Sequence, residues 1–188
     1  MFRYVHGMVR PGPRPVWVGL AAAMAALAGC EGRGGRYVSA ERRFALQPPA
    51  GWAVREYSGD PCLFILAPGA GLRPGEAGGP GQANLNVVAL PAAPHVTLEE
   101  AVADGRRQAE RLAGYEALAD EPRTLRTGGP ARAIMFRHQA LGPRVTVRQL
   151  YVVARGRAYT VTAAAPSDEF AAYEPDFEAC LNSFQAGW

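Results

Sequence analysis

The chain has 188 residues, of which 48% are hydrophobic, enough for one domain with a real core. Its formal charge of +3 comes from the N-terminus: Arg3, Arg10 and Arg14 precede Cys30, leaving 17 basic residues against 17 acidic ones in the rest. A body of zero net charge, with no lysine and no basic run, argues against a nucleic-acid-binding protein.

The first 15 residues carry positive charge and no acid, and Val16–Leu27 is an unbroken apolar run of 12 residues. A membrane-spanning helix needs roughly 20 such residues, so the run suits the hydrophobic core of a secretion signal better than an N-terminal anchor. A start at Met8 would shorten only the charged part. The run ends in Leu27-Ala28-Gly29-Cys30, which resembles the lipobox of bacterial lipoproteins. The small Ala28 and Gly29 fit a tight peptidase cleft, and the Cys30 thiol is the group that accepts a diacylglyceryl chain. Residues 1–29 are therefore expected to be a signal peptide. Residues 30–42 are expected to be a lipidated N-terminus and flexible tether, with Glu31 to Arg36 rich in glycine, and 43–188 to be the folded domain. The chain would then be exported and held by lipid at the extracytoplasmic face of a membrane.

A short strand is expected at Arg43–Leu46, closed by Pro48-Pro49-Ala50-Gly51, and a second from Trp52 to Tyr57. After the turn residues Ser58-Gly59-Asp60-Pro61, the continuous apolar run Cys62–Ala67 reads as a strand buried on both faces. Pro68 to Gln82 holds six glycines and three prolines, a long loop of the sort that carries binding, with Leu72, Arg73, Glu76 and Gln82 as contact candidates. Its glycines match no phosphate-binding motif.

Asn84–Leu90 reads as another strand. Thr97-Leu98-Glu99-Glu100 is a capping box that opens a helix, with Leu98, Ala101, Val102, Gly105, Ala109 and Leu112 on one face and Gly114 at its end. Three strands follow, Ala131–Ala140, Arg144–Ala154 and Arg157–Ala164. Leu141-Gly142-Pro143 and Arg155-Gly156 separate them, the spacing of an antiparallel meander. Alternation within the middle strand places apolar residues on both sides, so both are expected to be covered. A last helix starts at about Ser167 or Glu174 and runs to Phe184, with Phe170, Tyr173, Phe177, Leu181 and Phe184 along its stripe and Pro175 at a kink or fresh start. Helices covering the faces of one antiparallel sheet make an α+β, αβα sandwich.

Several pieces in this order resemble the PsbP-like fold, shared by a photosystem II extrinsic protein, a Ran-binding nuclear-import factor and bacterial DcrB-like and LpqN-like lipoproteins. They are Phe44-Ala45-Leu46-Gln47-Pro48 with Gly51-Trp52, then Asn84-Leu85-Asn86-Val87, Thr97-Leu98-Glu99-Glu100, and Tyr173, Phe177 and Leu181-Asn182-Ser183-Phe184. The resemblance covers Arg43 to Gln185. It implies an αβα sandwich and non-enzymatic docking, assembly or chaperoning near membranes, and it supplies no catalytic residue to carry over.

The remaining chemistry is sparse. Cys62 and Cys180 are open to two readings, a disulfide in an oxidising compartment or two buried thiols. His95 and His138 stand at no metal-ligand spacing, so neither a metal nor another cofactor is expected. Ser39, Ser58, Ser167 and Ser183 lie in no nucleophile motif, and the acidic pairs Glu99-Glu100 and Asp168-Glu169 belong at helix starts. The expected function is a membrane-anchored, non-catalytic domain for a protein partner or a small apolar ligand. The alternatives are an envelope hydrolase or transferase built from distant residues such as His138, and a structural spacer.

Overall fold

The computed structural model describes residues 35–68, 82–140 and 142–187. Seven strands form one antiparallel sheet, in the spatial order β3 (Ala53–Glu56), β4 (Leu63–Leu66), β5 (Asn84–Pro91), β9 (Arg157–Pro166), β8 (Val145–Ala154), β7 (Pro130–His138), β6 (Glu116–Thr124). A second, three-stranded sheet joins β1 (Tyr37–Ser39), β2 (Phe44–Leu46) and β10 (Gln185–Ala186). Helix α1 (Leu98–Ala109) joins β5 to the far edge strand β6, and α2 (Phe170–Ser183) follows β9. The fold class is α+β, with helices on both faces of the large sheet.

Strand alternation decides which helix meets which residues. In β8, Val147 and Tyr151 point at α1, where they pack with Val102, Ala109, Ile134 and Phe136. The intervening Leu150 and Val152 point the other way, into a larger core with Phe170, Phe177, Leu181 and Phe184 from α2 and its end. Both faces of this strand are thus covered, as its apolar alternation requires. Trp52 closes the larger core at the start of β3, its ring edge-on to Tyr173 and Phe177 at 5.9 Å from each.

The capping box forms as the sequence implies: the Thr97 hydroxyl accepts from the Glu100 N–H, and the Glu100 carboxylate accepts from the Thr97 N–H at 2.9 Å. The regular helix stops at Ala109, and the chain turns on to Gly114, whose φ of +68° lies in the left-handed region. In α2, Pro175 sits inside the helix without ending it.

Three features depart from the sequence reading. The folded body begins before residue 43: Tyr37–Ser39, assigned to the tether, pairs with β2 in the register Tyr37↔Leu46 to Ser39↔Phe44. The Tyr37 ring packs 5.8 Å from Phe44, and that contact fixes the segment. Glu116–Thr124, given no element, is a nine-residue edge strand with an irregularity between Ala117 and Ala119. Its acidic residues and Pro122 keep a free edge from pairing further, and they also hide its strand character. Finally, the β1–β2–β10 strands form a sheet apart from the main one.

α1 sits close to the sheet because residue 105 has no side chain. A Cβ at Gly105 would come within 2.6 Å of Cε1 of Tyr151, and closer still to its Cζ and hydroxyl. Gly105→Ala should therefore lower stability by up to about 2 kcal/mol, because overpacking of about 1–3 kcal/mol is offset by a helix-propensity gain of only about 1 kcal/mol. A thermal melt checks this; a raised midpoint would show that α1 is not seated on Tyr151.

Candidate binding surfaces

The sheet has two ends with different contents. At one end Leu66 pairs with Asn84 and Asn84 with Ala164. Pro68 and Gln82, which flank the glycine-rich segment, adjoin it. At the other end Pro91 pairs with Arg157, and the β8–β9 turn lies nearby, since the Ala92 N–H donates to the Gly156 carbonyl at 2.8 Å. Seven residues of strand separate the two ends of β5, a distance of about 24 Å.

On the α1 face the helix covers β7 and β8 but leaves the neighbouring strands half-buried. Asn84, Asn86, Val88 and Leu90 of β5 lie opposite Ala164, Thr162, Thr160 and Ala158 of β9, and all eight are partly accessible. Gln149 marks the boundary. Buried in β8, it donates from Nε2 to the Thr162 hydroxyl at 3.2 Å and accepts from the Tyr151 hydroxyl. A buried amide satisfied in this way adds order at low cost, and burial pushes the Tyr151 hydroxyl well above its ordinary pKa.

A shallow cleft of about 360 Å³ opens between α1 and β6. Its floor includes Tyr115, Ile134 and Phe136; Arg106, Glu110 and Asp120 stand at its rim. The irregularity in β6 falls at Leu118, which also lines it. Asp120 binds both Arg132 and Arg106 and so ties β7 and α1 to the edge strand. Hydrogen bonding from Arg132, with Arg106 beside it, holds the Asp120 carboxyl below its ordinary pKa. Sequence reasoning missed this cleft because it missed β6. The spacing from Gly114 to the Thr127-Gly128-Gly129 turn, followed by a clear strand, was the available signal.

On the opposite face Arg148 lies in mid-sheet with its side chain only 13% exposed. It pairs with Glu174 at 3.1 Å and with Glu178 of α2, while Arg123 reaches Glu178 from β6 at 3.3 Å. This network pins α2 to the sheet and is fully paired, so it is structural.

Of the residues singled out from sequence, Leu27, Ala28, Gly29 and Cys30 lie outside the described residues, as do Leu72, Arg73 and Glu76. Gln82 is half-buried; its carbonyl accepts from the Asn84 side chain at 2.9 Å, and its Oε1 is buried with no partner among the described residues. Cys62 and Cys180 are free thiols in this structure, both buried. The Cys62 sulfur donates to the Val87 carbonyl at 3.2 Å. Burial pushes the thiols up to about 11 for Cys62 and about 12 for Cys180.

His95 is exposed. His138 is half-buried at the end of β7, accepts from the Ala140 N–H at 3.3 Å and has its pKa lowered by burial. The Ser167 hydroxyl meets Thr146, and Ser183 donates to the Cys180 carbonyl, so neither serine is bonded to a histidine. Among the described residues no group of three or more His, Cys, Asp or Glu is placed to hold a metal ion, and no helix is long and apolar enough to cross a membrane.

Two measurements follow from these burials. With a thiol reagent at pH 8, the acylated native protein should react at less than one thiol, and the unfolded protein at two; fast labelling of the folded state would show that the cysteines are accessible. Because the folded-state pKa of His138 is depressed, its contribution to stability is complete above the ordinary histidine value of about 6.5 and is lost as pH falls through the folded value. His138→Gln should therefore flatten the slope of melting temperature against pH in the window between about 6.5 and the lower folded value. An unchanged slope would assign it to other groups.

No family model matches this sequence, and no curated protein sequence matches it. Solved structures do. The solution structure of cyanobacterial PsbP from Synechocystis sp. PCC 6803 superposes with a TM-score of 0.62 at 15% identity, covering 87% of this chain and 98% of that one. LpqN of Mycobacterium tuberculosis, involved in cell envelope biogenesis, gives a TM-score of 0.58 at 14% identity over 84% of this chain and 88% of that chain. The protein PA94 of Pseudomonas aeruginosa gives 0.54 at 18% identity, over 81% and 96%. At such identities the likeness speaks for the backbone arrangement alone, and that arrangement is shared over more than four-fifths of this chain: this protein has the PsbP-like fold.

Proposed function

We propose that the chain is an exported lipoprotein, anchored through acylated Cys30, whose domain binds a protein partner or a small apolar ligand without catalysing a reaction. The observation that carries the reading is the lipobox Leu27-Ala28-Gly29-Cys30 at the end of a 12-residue apolar run. The two acyl chains of a diacylglyceryl group on that sulfur, with or without a third on the amine freed by cleavage, suffice for stable anchoring, at about 0.8 kcal/mol for each buried methylene. The involvement of LpqN in cell envelope biogenesis is consistent with work at the same place.

Binding without catalysis is supported by the polar groups of the domain. Two of the most buried ones are consumed by structure: Gln149 by Thr162 and Tyr151, and Arg148 by Glu174 and Glu178. His138 has no hydroxyl or carboxylate partner among the described residues. Two surfaces fit the two ligand classes. The cleft beside β6 has an apolar floor and a volume at the lower end of the range for small-molecule sites, roughly 300–1,000 Å³. The half-buried face of β5 and β9, with the segment 68–82 whose flanks adjoin one end of it, suits a protein partner; Leu72, Arg73, Glu76 and Gln82 are the contacts assigned within that segment.

The anchor is tested by intact mass: protein extracted from membranes should begin at Cys30 and carry a diacylglyceryl group. Unmodified protein retaining residues 1–29 would refute it. For the binding surface, deleting residues 71–80 should reduce capture of a membrane-purified partner at least tenfold, about 1.4 kcal/mol or more, while the melting temperature stays nearly constant. Capture at the original level would remove that segment from the interface.

A further inference from the structure

The small sheet β1–β2–β10 has an outer face that the domain core does not use. Tyr37 and Phe44 face inward, where Phe44 packs against Tyr159 and Phe184. Val38, paired with Ala45, which in turn pairs with Gln185, faces outward. Val38 is 55% exposed and is the one large hydrophobic side chain so exposed among the described residues.

Four arginines gather around this row. Arg36 bonds to the Gln185 side chain. Arg43 precedes Phe44, and its carbonyl accepts from the Gly187 N–H at 3.0 Å. Arg155 lies against the same Gly187, with its Cγ 3.3 Å from where a Cβ would stand. Arg157 reaches the Glu41 carbonyl at 3.3 Å. None of the four is ion-paired among the described residues, whereas neighbouring Arg42 is neutralised by Asp60 at 3.1 Å. The acids facing this patch are the exposed Glu41 and, beside Tyr37, Glu56. Arg43 and Arg155 hold φ of +54° and +45°. A side chain other than glycine is uncommon there, so the two turns keep arginine at a backbone cost.

The N-terminus restricts what this face can meet. Only residues 31–34 separate Cys30 from the described chain, so a lipid on Cys30 lies at most about 18 Å from residue 35. The chain after Cys30 is neutral as a whole, with 17 basic against 17 acidic residues, so four unpaired arginines together are a local excess, whereas the described ion pairs elsewhere spread both signs over the surface. We infer that the outer side of the β1–β2–β10 sheet, with Val38 exposed on its edge strand over the buried Ala45 and Arg36, Arg43, Arg155 and Arg157 around it, docks on anionic phospholipid headgroups. The inference rests on the anchor at Cys30 for its proximity and adds a fixed orientation. The patch lies at the Arg157 end of the sheet, so the opposite end, with Pro68 and Gln82, points away from the bilayer. Guanidinium groups suit this role because they bind phosphate in a forked geometry and act within a Debye length of about 8 Å.

The test uses the full acylated protein carrying Val38→Cys, labelled with an environment-sensitive fluorophore. Cys62 and Cys180 are spared by burial, and Cys30 by acylation. In vesicles of phosphatidylcholine with phosphatidylglycerol, quenching by brominated lipid should be about threefold stronger than in phosphatidylcholine alone, and molar salt should abolish the difference. Arg43→Asn with Arg155→Asn, a residue tolerant of left-handed backbone, should reduce quenching to the phosphatidylcholine level. The salt titration needs no substitution and stands if that variant fails to fold. Equal quenching in both vesicles, or a difference that survives salt, would overturn the patch. So would equally strong protection of the probe by a soluble polyanion such as heparin, which would make the face a general polyanion site. Intact mass decides the anchor separately: an unacylated Cys30 overturns the anchor alone, and the lipid dependence of the Val38 probe still decides the patch.

Discussion

The β8–β9 hairpin is the constraint on which the rest of the structure depends. Ten residue pairs run from Val145↔Pro166 to Ala154↔Arg157 without a break. Both helices dock on these two strands from opposite sides: α1 through Val147 and Tyr151, α2 through Leu150, Val152 and the alternate residues of β9. A single-residue slip would turn every one of these side chains to the other face. It would also detach Arg148 from Glu174 and Glu178 and put Gln149 where no hydroxyl meets it. Register, helix placement and polar satisfaction therefore depend on one another.

The strongly patterned elements were legible in the residues. The capping box at Thr97, the apolar stripe of Phe170, Tyr173, Phe177 and Leu181, and the alternation along β8 each carry their own pattern, and each forms as read. The PsbP-like fold was likewise readable from short pieces in order. What escaped were elements held by tertiary contact. Tyr37–Ser39 is too short to declare itself and is a strand because Tyr37 meets Phe44 across the chain. β6 is polar because an edge strand must be, and the polarity erased its signal. The cleft was invisible for the same reason, since one of its walls is that strand. The cysteine pair shows another limit: spacing cannot distinguish a bond from two separate burials, and burial is what the fold gives them.

The functional reading divides along the same line. The anchor is proposed from a contiguous run of residues, which a linear sequence displays directly. The binding surfaces are assembled from strands far apart in the chain. The arginines at positions 36, 43, 155 and 157 form no cluster in sequence, and the neutral balance of the domain conceals them. Only the closing of the C-terminal strand against β2 brings them together.

That closure has a mechanical consequence. β1 is held by three residue pairs to β2 alone, whereas β2 is also held by β10, by the Gly187-to-Arg43 bond and by the Tyr159 hydroxyl, which lies 3.0 Å from the carbonyls of Arg42 and Arg43. A pull on the N-terminus therefore reaches a weak, peripheral strand before it reaches the body of the domain. Load applied there would peel these three pairs before it strained the hairpin that seats both helices.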